Sequence, residues 1–213
     1  ALTYSIVGGA DAAMFEISAS GDMLHLATGV SADYETKSQL EVQLQATDSD
    51  GLIFDKNFTV SVADVNEAPT DITLDNSSVA ENSAGAHIAN INGTDPESDA
   101  LTYSIVGGAD EALFEISDSG DRLHLAPGVS ADYESKPQLE VQLQATDSEG
   151  LFFDKTFTVS VMDVNEAPTD MALSSLTIEE NSAAGTIVGN LSAADPDVGD
   201  THSFSLVGGT GSN

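Results

Sequence analysis

Short acidic motifs recur along the chain, and their residue types suit the binding of a hard divalent cation. The stretch DVNEAPT stands at residues 64–70 and again at residues 163–169, a spacing of 99 residues. Further acids cluster in the segments VAENS, TDPESDA, ADYES and ATDSEG, all rich in small or turn-forming residues. Calcium takes about six to eight oxygen ligands from carboxylates, amides and main-chain carbonyls. We therefore expect these motifs to supply calcium ligands.

The charge of the whole chain also favours a cationic partner. Its 213 residues include 36 acidic and 5 basic residues, which gives a formal net charge of −31. This charge disfavours nucleic acid and anionic lipid as partners, because each phosphate would approach against a repulsive field. The sequence has no apolar run long enough to span a bilayer, so we expect no membrane insertion of this segment.

The sequence contains no recognisable catalytic constellation. It has no cysteine, which excludes disulfides and thiolate zinc sites. It has no serine elbow, phosphate-cradling glycine loop or histidine beside a nucleophile motif, and the glycine pair of IVGGAD is interpreted as a turn. The Asp-x-Asp pattern of DSDG does not match an EF-hand loop. That loop has a third ligand before its glycine and a glutamate six residues after it, whereas Gly51 directly follows Asp50 and position 57 is Asn. We predict a protein that is not an enzyme.

The chain is a tandem repeat. Residues 1–71 match residues 100–170 at 60 of 71 positions, and a third copy begins after Pro168 with the recurring letters ENSA. Such self-similarity is typical of arrays of repeated structural units. The predicted domains are a first repeat that lacks its first two strands, a complete second repeat and the first strands of a third repeat, at residues 1–67, 68–166 and 167–213.

Within each repeat, hydrophobic and polar residues alternate, as in LTYSIV at 101–106 and LEVQLQA at 139–145. This period of two, bounded by Gly, Asp, Asn and Ser, is typical of strands with one buried face. Each full repeat contains about seven such segments and no convincing helical period. The predicted fold class is all-β, as tandem seven-stranded Greek-key β-sandwiches of immunoglobulin-like type.

In this order, the motifs resemble those of the extracellular cadherin repeat. The motifs of that family are x-E-x, D-x-D, D-R-E, A-x-D and the linker D-x-N-D-N-x-P; here they correspond to VAEN, DPE, DYE, ATD and DVNEAP. Two features depart from the family. The linker is one residue shorter, which leaves the number of ions per joint open, and Tyr34 or Tyr133 stands in the middle of D-R-E. The resemblance covers the whole chain and implies cadherin-like sandwiches with Ca²⁺ bound at the joints between repeats.

The resemblance also implies which residues bind calcium, taken at each joint from the upper repeat, the linker and the lower repeat. For the first joint the implied ligands are Asp33, Glu35, Val65 through its carbonyl, Asn66, Glu67, Asp95, Glu97, Asp99 and Asp147. For the second joint they are Glu81, Asp132, Glu134, Asn165, Glu166, Asp195 and Asp197. Asp48 and Glu180 occupy the same motifs but have no complete joint within the chain. A single acid at a turn is more often solvated or bonded to its own backbone, so the prediction depends on the ordered recurrence of all five motifs.

The predicted function is a calcium-rigidified structural or adhesive stalk module of a secreted or cell-surface protein. Calcium would neutralise the acids at each joint, and near-identical copies suit an extended array. Near-identical repeats without cysteine suggest a bacterial adhesin. The alternative is a carbohydrate-binding module of a surface protein that contacts polysaccharide; the absence of Trp and the presence of only 4 Tyr argue against it.

The incomplete outer repeats suggest self-association. A sandwich without its first two strands exposes strand edges and apolar core, which favours pairing. Residues 169–209 carry strands of the missing type. We expect this segment of one molecule to complete the first repeat of another and to donate Glu180, in a swapped dimer or a head-to-tail assembly.

Overall fold

The structure is a computed structural model that describes residues 1–208; residues 209–213, the end of the predicted third repeat, lie outside the described residues. The described chain is all-β, as predicted, with two short 3-10 helices at Ala12–Met14 and Glu111–Leu113. Its strands are β1 Thr3–Gly8, β2 Phe15–Ile17, β3 Leu24–Leu26, β4 Gln39–Thr47, β5 Ile53–Ser61, β6 Asp71–Leu74, β7 Ser78–Ala80, β8 His87–Thr94, β9 Thr102–Gly107, β10 Phe114–Ile116, β11 Arg122–Leu125, β12 Gln138–Thr146, β13 Phe152–Met162, β14 Asp170–Leu173 and β15 Leu191–Ala194. Within residues 1–208 there is no helix with the length and hydropathy needed to cross a bilayer.

The chain forms two compact units. The first comprises residues 1–71, 94–101 and 146–153; the second comprises residues 72–93, 102–145 and the described residues from 154 onward. The loops 94–101 and 146–153, which belong to the second sequence repeat, therefore group with the first unit. The repeat boundaries at residues 67 and 166 stay a prediction from sequence periodicity.

The first unit is built on a three-stranded antiparallel sheet in the order β1-β4-β5. A short antiparallel pair, β2 and β3, accompanies it. Its small buried core consists of Phe15, Leu40 and Val42. Strand β5 is exposed along its whole length, so its alternating apolar residues have no second layer over them.

The second unit contains a complete β-sandwich. Its two four-stranded sheets have the orders β10-β11-β8-β6 and β7-β13-β12-β9. The alternation predicted for β12 is confirmed, because Leu139, Val141, Leu143 and Ala145 are all buried. Each buried Leu or Val contributes roughly 1.5–3 kcal/mol by leaving water. The other buried apolar residues of this sandwich are Ile72, Val79, Ile88, Ala89, Ile91, Phe114, Leu123, Leu125, Ala131, Val159 and Val161.

This sandwich has eight strands where the sequence predicts seven, because the first predicted strand is divided. Strand β6 pairs in one sheet, whereas β7 runs parallel to β13 in the other. Asn76 lies between them, and its side-chain amide donates to the carbonyls of Ser78 and Ile88, both at 2.7 Å. These bonds satisfy backbone carbonyls where the strand ladder is interrupted. The chain can therefore change sheets at this point.

After Pro168, the described chain forms a two-stranded antiparallel ribbon of β14 and β15. Its apolar side chains are mostly exposed. Met171 is exposed, for example, although Ile72, which holds the same place in the preceding copy, is buried.

Candidate metal centres

The first acidic cluster lies within the first compact unit. Carboxylate oxygens of Glu35, Asp64 and Glu97 lie within 4.8 Å of one another. Glu35 comes from the loop before β4, Asp64 follows β5, and Glu97 comes from the loop between β8 and β9. The backbone N–H of Glu67 donates to Glu97 Oε2 at 3.4 Å, which joins the linker to the same group.

Asp147 fixes the loop beside this cluster. It is buried, and its Oδ1 accepts hydrogen bonds from the backbone N–H groups of Glu149 and Leu151, both at 2.9 Å. Its Oδ2 accepts from the side-chain amide of Asn66 at 2.9 Å. Burial by itself would raise the pKa of Asp147, but these hydrogen bonds outweigh it and lower the pKa. The carboxylate therefore stays charged, and it orients the amide of a predicted linker ligand.

Asp95 shapes the TDPESDA turn and leaves an oxygen without a partner. Its Oδ1 accepts from the N–H groups of Glu97 and Asp99 at 3.1 and 3.2 Å. Its Oδ2 and the Oε1 of Glu97 are buried and have no hydrogen-bond partner among the described residues. Buried carboxylate oxygens without a partner are costly and rare in native structures. A bound cation would remove that cost at both atoms.

Repulsion between like charges is marked around the first cluster. Partial desolvation, followed by the charges of Glu35, Glu97 and Asp33, raises the pKa of Glu67. Asp33 behaves differently, because its two oxygens accept from the N–H and the hydroxyl of Thr36, both at 2.9 Å. These bonds lower the pKa of Asp33.

The second acidic cluster is larger and lies within the second unit. Oxygens of Glu81, Glu134 and Glu166 lie within 4.8 Å of one another, and Glu134 forms a second such group with Asp163 and Asp197. Glu81 follows β7, Glu134 precedes β12, Asp163 and Glu166 follow β13, and Asp197 follows β15. Three other segments therefore converge on Glu134.

The two clusters use equivalent residues of the repeated sequence. In each, one acid comes from ADYE, one from the first residue of DVNEAP and one from the DPE or DPD segment of the following copy. The equivalent pairs are Glu35 and Glu134, Asp64 and Asp163, and Glu97 and Asp197.

Two glutamates tie the second cluster together. Glu81 is buried, and its Oε2 and Oε1 accept from the backbone N–H groups of Tyr133 and Val164, both at 2.8 Å. Glu166 Oε1 accepts from the side-chain amide of Asn82 at 2.6 Å, whereas its Oε2 is buried without a partner among the described residues. Glu81 thus connects a turn to the linker, and Glu166 offers an unsatisfied oxygen.

Mutual repulsion also acts on the second cluster. Desolvation and then the charge of Asp197 raise the pKa of Asp163. A bond from its own backbone amide would lower the pKa of Glu134, but desolvation and the charges of Glu81, Glu166 and Asp163 raise it above its ordinary value. A cation among these carboxylates would relieve this repulsion.

A further group lies on the third copy and adjoins the second cluster. Oxygens of Asp195, Asp197 and Asp200 lie within 4.8 Å of one another, and Asp197 Oδ2 accepts from the N–H of Glu166 at 2.7 Å. The ring nitrogen Nε2 of His202 lies 2.9 Å from Asp195 Oδ2, and this bond lowers the pKa of Asp195. The equivalent oxygen in the preceding copy is the unpartnered Oδ2 of Asp95.

The structure places most of the predicted ligands at the two clusters. Some belong to the oxygen groups, the sets of acids whose carboxylate oxygens lie within 4.8 Å of one another. Others are hydrogen-bonded to a member of such a group or lie in an adjoining loop. Those in the oxygen groups are Glu35, Glu81, Glu97, Glu134, Glu166, Asp195 and Asp197. Those bonded to a group member or in an adjoining loop are Asn66, Glu67, Asp95, Asp99, Asp147 and Asn165. Asp33 and Asp132 bond their own turns, Asp48 accepts from the N–H groups of Asp50 and Leu52, and Val65 and Glu180 are exposed. The ligand assignment itself stays a prediction.

Three acids of these groups are missing from the sequence prediction. Asp64 and Asp163 open the two DVNEAP copies, and their fixed place in the motif was the signal that could have found them. Asp200 corresponds to Asp99 but is displaced by inserted residues in the third copy.

The donor set fits calcium. The groups consist of carboxylate oxygens, the chain has no cysteine, and His202 is the one imidazole in contact with them among the described residues. Hard cations prefer such oxygen ligands, whereas zinc and copper prefer nitrogen and sulfur.

No protein-family model matches the chain. It is 32% identical over 206 residues to Protocadherin Fat 2 of Rattus norvegicus, which covers 91% of this chain and 5% of that protein. It is 29% identical over 220 residues to Cadherin-related family member 2 of Homo sapiens, which covers 94% of this chain and 16% of that protein. The chain therefore spans only a small part of the curated relatives that it matches.

Solved structures of cadherin domains are also similar to this chain. The extracellular cadherin domains 3–6 of protocadherin gamma B2 match 93% of this chain and 49% of that chain, with a TM-score of 0.63 and 23% identity. The cis-dimer structure of protocadherin gammaB7 EC3–6 matches the same shares, with a TM-score of 0.57 and 27% identity. These comparisons identify the repeats of this chain as extracellular cadherin repeats.

The comparisons also decide several of the sequence predictions. The cadherin resemblance, the β-sandwich fold, the extracellular location and the prediction that the chain is not an enzyme are confirmed. A bacterial origin and the carbohydrate-binding alternative gain no support, since the relatives named above are cadherins of mammals.

Proposed function

We propose that this chain is a calcium-binding structural and adhesive module, in which Ca²⁺ rigidifies the joints between cadherin repeats of an extracellular protein. One observation carries the proposal. Two copies of the sequence separately gather equivalent acids into groups whose oxygens lie within 4.8 Å of one another, and within residues 1–208 three carboxylate oxygens are buried without a hydrogen-bond partner.

The physical role of the cation follows from the charges. Repulsion raises the pKa values of Glu67, Glu134 and Asp163, so without a cation the acids oppose the arrangement in which they are found. Calcium would neutralise them and would take the unpartnered oxygens of Asp95, Glu97 and Glu166 as ligands. Linker and turns would then be held in one arrangement.

Thermal unfolding in calcium, in EGTA and in excess magnesium tests the proposal. Binding to the folded state adds about 2.7 kcal/mol for one site at a hundredfold excess over Kd. At about 2–4 °C per kcal/mol for a chain of this size, several sites should raise Tm by roughly 10 °C or more. Calcium should act more strongly than magnesium, which tolerates irregular oxygen cages poorly.

Matched variants locate the effect. Glu134→Gln should lose much of the gain in calcium, whereas Asp118→Asn, an exposed acid outside the groups, should keep it. A melting curve that ignores calcium in the unmodified chain would show that the acids are only a charged surface.

The partner proposed for the 213-residue polypeptide is a second copy. Apolar side chains of β5 are exposed, and so are Met171, Ile178 and Leu191 after Pro168; the residues equivalent to these three, Ile72, Val79 and Ile91, are buried in the complete sandwich. The segment after Pro168 of one copy therefore has the pattern needed to cover the first repeat of another, as a swapped dimer or a head-to-tail assembly. The cis-dimer of protocadherin gammaB7 EC3–6 is a relative that assembles.

Sedimentation of the polypeptide, and of a version ending at Pro168, tests this partner. If the segment after Pro168 covers the first repeat of another copy, the full chain should form dimers or longer assemblies and the shortened chain should be a monomer. A full chain that stays monomeric at high concentration, with rapid amide exchange from residue 169 onward, would exclude it.

A further inference from the structure

One lysine follows the acidic turn in each of the first two repeats, and each lysine bonds to an aspartate at the same place in its repeat. Lys37 Nζ donates to Asp11 at 2.6 Å, and Lys136 Nζ donates to Asp110 at 2.5 Å. The aspartate side chains are only 11% and 10% exposed. These pairs use two of the 5 basic residues in a chain with 36 acids, so a lysine at this position in both repeats requires a physical reason.

The aspartate end of the pair is fixed to a core strand. The N–H of Asp110 donates to the carbonyl of Glu140 on β12 at 3.1 Å, and Asp110 Oδ2 accepts from the N–H of Glu140 at 2.8 Å. Gly108 makes this approach feasible, since its φ is +107° and a Cβ there would lie 2.6 Å from the Glu140 carbonyl oxygen. Asp11 makes the same two bonds to Glu41, at 3.0 and 2.7 Å. The glycine pair of IVGGAD, predicted only as a turn, therefore places an aspartate on a core strand.

The lysine end of the pair is fixed to the acidic turn. The N–H of Lys136 donates to the carbonyl of Asp132 at 2.9 Å. The Asp132 carboxylate accepts from the N–H and the hydroxyl of Ser135, both at 2.8 Å. This closed turn carries Glu134, the acid common to both oxygen groups of the second cluster. A continuous series of bonds thus links β12, through Asp110, to Glu134.

We propose that the Asp110–Lys136 pair, with Asp11–Lys37 as its counterpart, is a positioning pair that holds the acidic turn ready for the cation. The inference rests on the proposed function, calcium binding at these clusters. Without a cation, Glu134 is repelled by the acids around it, and a loose turn would have to be ordered again on binding, at a cost in affinity. Lys136 itself repels an approaching cation, so its contribution to binding must come from position and not from charge.

The variant Lys136→Met separates the two effects by sign. Removing a positive charge beside an acidic cluster favours cation binding, so a lysine without a positioning role predicts tighter binding in the variant. A positioning role predicts weaker binding, by about tenfold, the lower end of the effect typical of residues that orient metal ligands. Lys136→Arg keeps the ion pair and should restore most of the affinity.

Terbium luminescence measures one cluster at a time. Tyr133 lies between Asp132 and Glu134 and can sensitise Tb³⁺ bound beside it, and Tyr34 has the same place in the first repeat. In a Tyr34→Phe background, the part of the titration signal that a further Tyr133→Phe change removes reports the second cluster, and calcium competition gives its affinity. Arg122→Met is the matched control, because it removes a positive charge from an exposed side chain outside the turn.

Each outcome decides a different point. If the unmodified chain binds neither ion, the proposed function fails and the positioning pair fails with it. If the chain binds and Lys136→Met binds equally or more tightly, the positioning role is wrong and calcium binding stands. If Lys136→Met loses its β-sheet circular dichroism in EGTA, Lys37→Met in a Tyr133→Phe background makes the same comparison at the first cluster.

Discussion

Leu26 and Leu125 hold the same place in two copies of a nearly identical sequence, yet Leu26 is 37% exposed and Leu125 is 0% exposed. Val60 and Val159 show the same contrast, at 37% and 0%. In the second copy, β6, β7 and β8 pair into the two sheets around these residues, and no described strand takes that part in the first copy. The local sequence around these residues is nearly the same in the two copies. Their burial therefore depends on strands that are distant in sequence.

The acidic turns, in contrast to the core residues, have the same arrangement in both copies. Glu35 and Glu134 enter equivalent oxygen groups although only the second copy has a complete core. Their turns are closed by local bonds, from Thr36 to Asp33 and from Ser135 to Asp132. These local bonds, and the lysine–aspartate pair that ties each turn to β4 or β12, are present in both copies, so the turn keeps its shape where the rest of the core is incomplete.

The largest expected effect tests the contrast in the core. Leu125→Ala should lower the free energy of unfolding by about 2–5 kcal/mol, because it leaves a cavity in a packed interior. Leu26→Ala should cost well under half of that, since Leu26 is already in contact with water. Urea unfolding in EGTA, followed by circular dichroism, measures both. Equal losses would mean that the two copies have equally complete cores in solution.

Glu81→Gln should have the next largest effect. The carboxylate accepts two backbone N–H bonds in a buried position, and an amide places a donor against one of them, at a cost of about 1–3 kcal/mol. Glu180→Gln is the matched control from the third copy, where the equivalent side chain is exposed. We expect a lower Tm for Glu81→Gln and an unchanged Tm for Glu180→Gln. A similar Tm for both would contradict the bonding described for Glu81.

Glu35→Gln and Glu134→Gln compare the two clusters directly. Each should weaken calcium binding about tenfold, equivalent to about 1.4 kcal/mol, and Glu134→Gln should have the larger effect because Glu134 belongs to two oxygen groups. Calorimetric titration of each variant measures this. In EGTA, neither variant should be less stable than the unmodified chain, because each removes a repelled charge. A loss of calcium affinity confined to one variant would show that only one cluster binds.

The smallest expected effect is a pH dependence without calcium. The raised pKa values of Glu67, Glu134 and Asp163 mean that the folded chain binds these protons more tightly than the unfolded chain, so stability rises as pH falls toward them. The lowered pKa values of Asp11 and Asp33 act oppositely, and their contribution is lost as pH falls below their ordinary range. In EGTA, Tm should therefore rise from pH 7 toward about pH 5 and then fall in stronger acid. In calcium the rise should vanish, and a rise of equal size in both conditions would contradict cation binding at these acids.

The features predicted correctly from the sequence are those set by local chemistry. The alternation in LEVQLQA predicts β12 with its buried face, and the ordered acidic motifs predict which loops converge. The division of the first strand was not predictable, because the amide of Asn76 needs the carbonyl of Ile88, which lies twelve residues along the chain on another strand. Nor could the sequence show that both oxygens of Asp33 are engaged by Thr36.

Two of the acidic groups are shared between successive copies in the same way, and this has a genetic consequence. Glu35 and Asp64 come from one copy and Glu97 from the next, and the same division holds one copy later. Duplication or loss of one 99-residue stretch of the gene product would therefore add or remove one whole acidic group and leave the neighbouring groups intact. An array of this type can change its length in a single recombination event without passing through a form that has a broken junction.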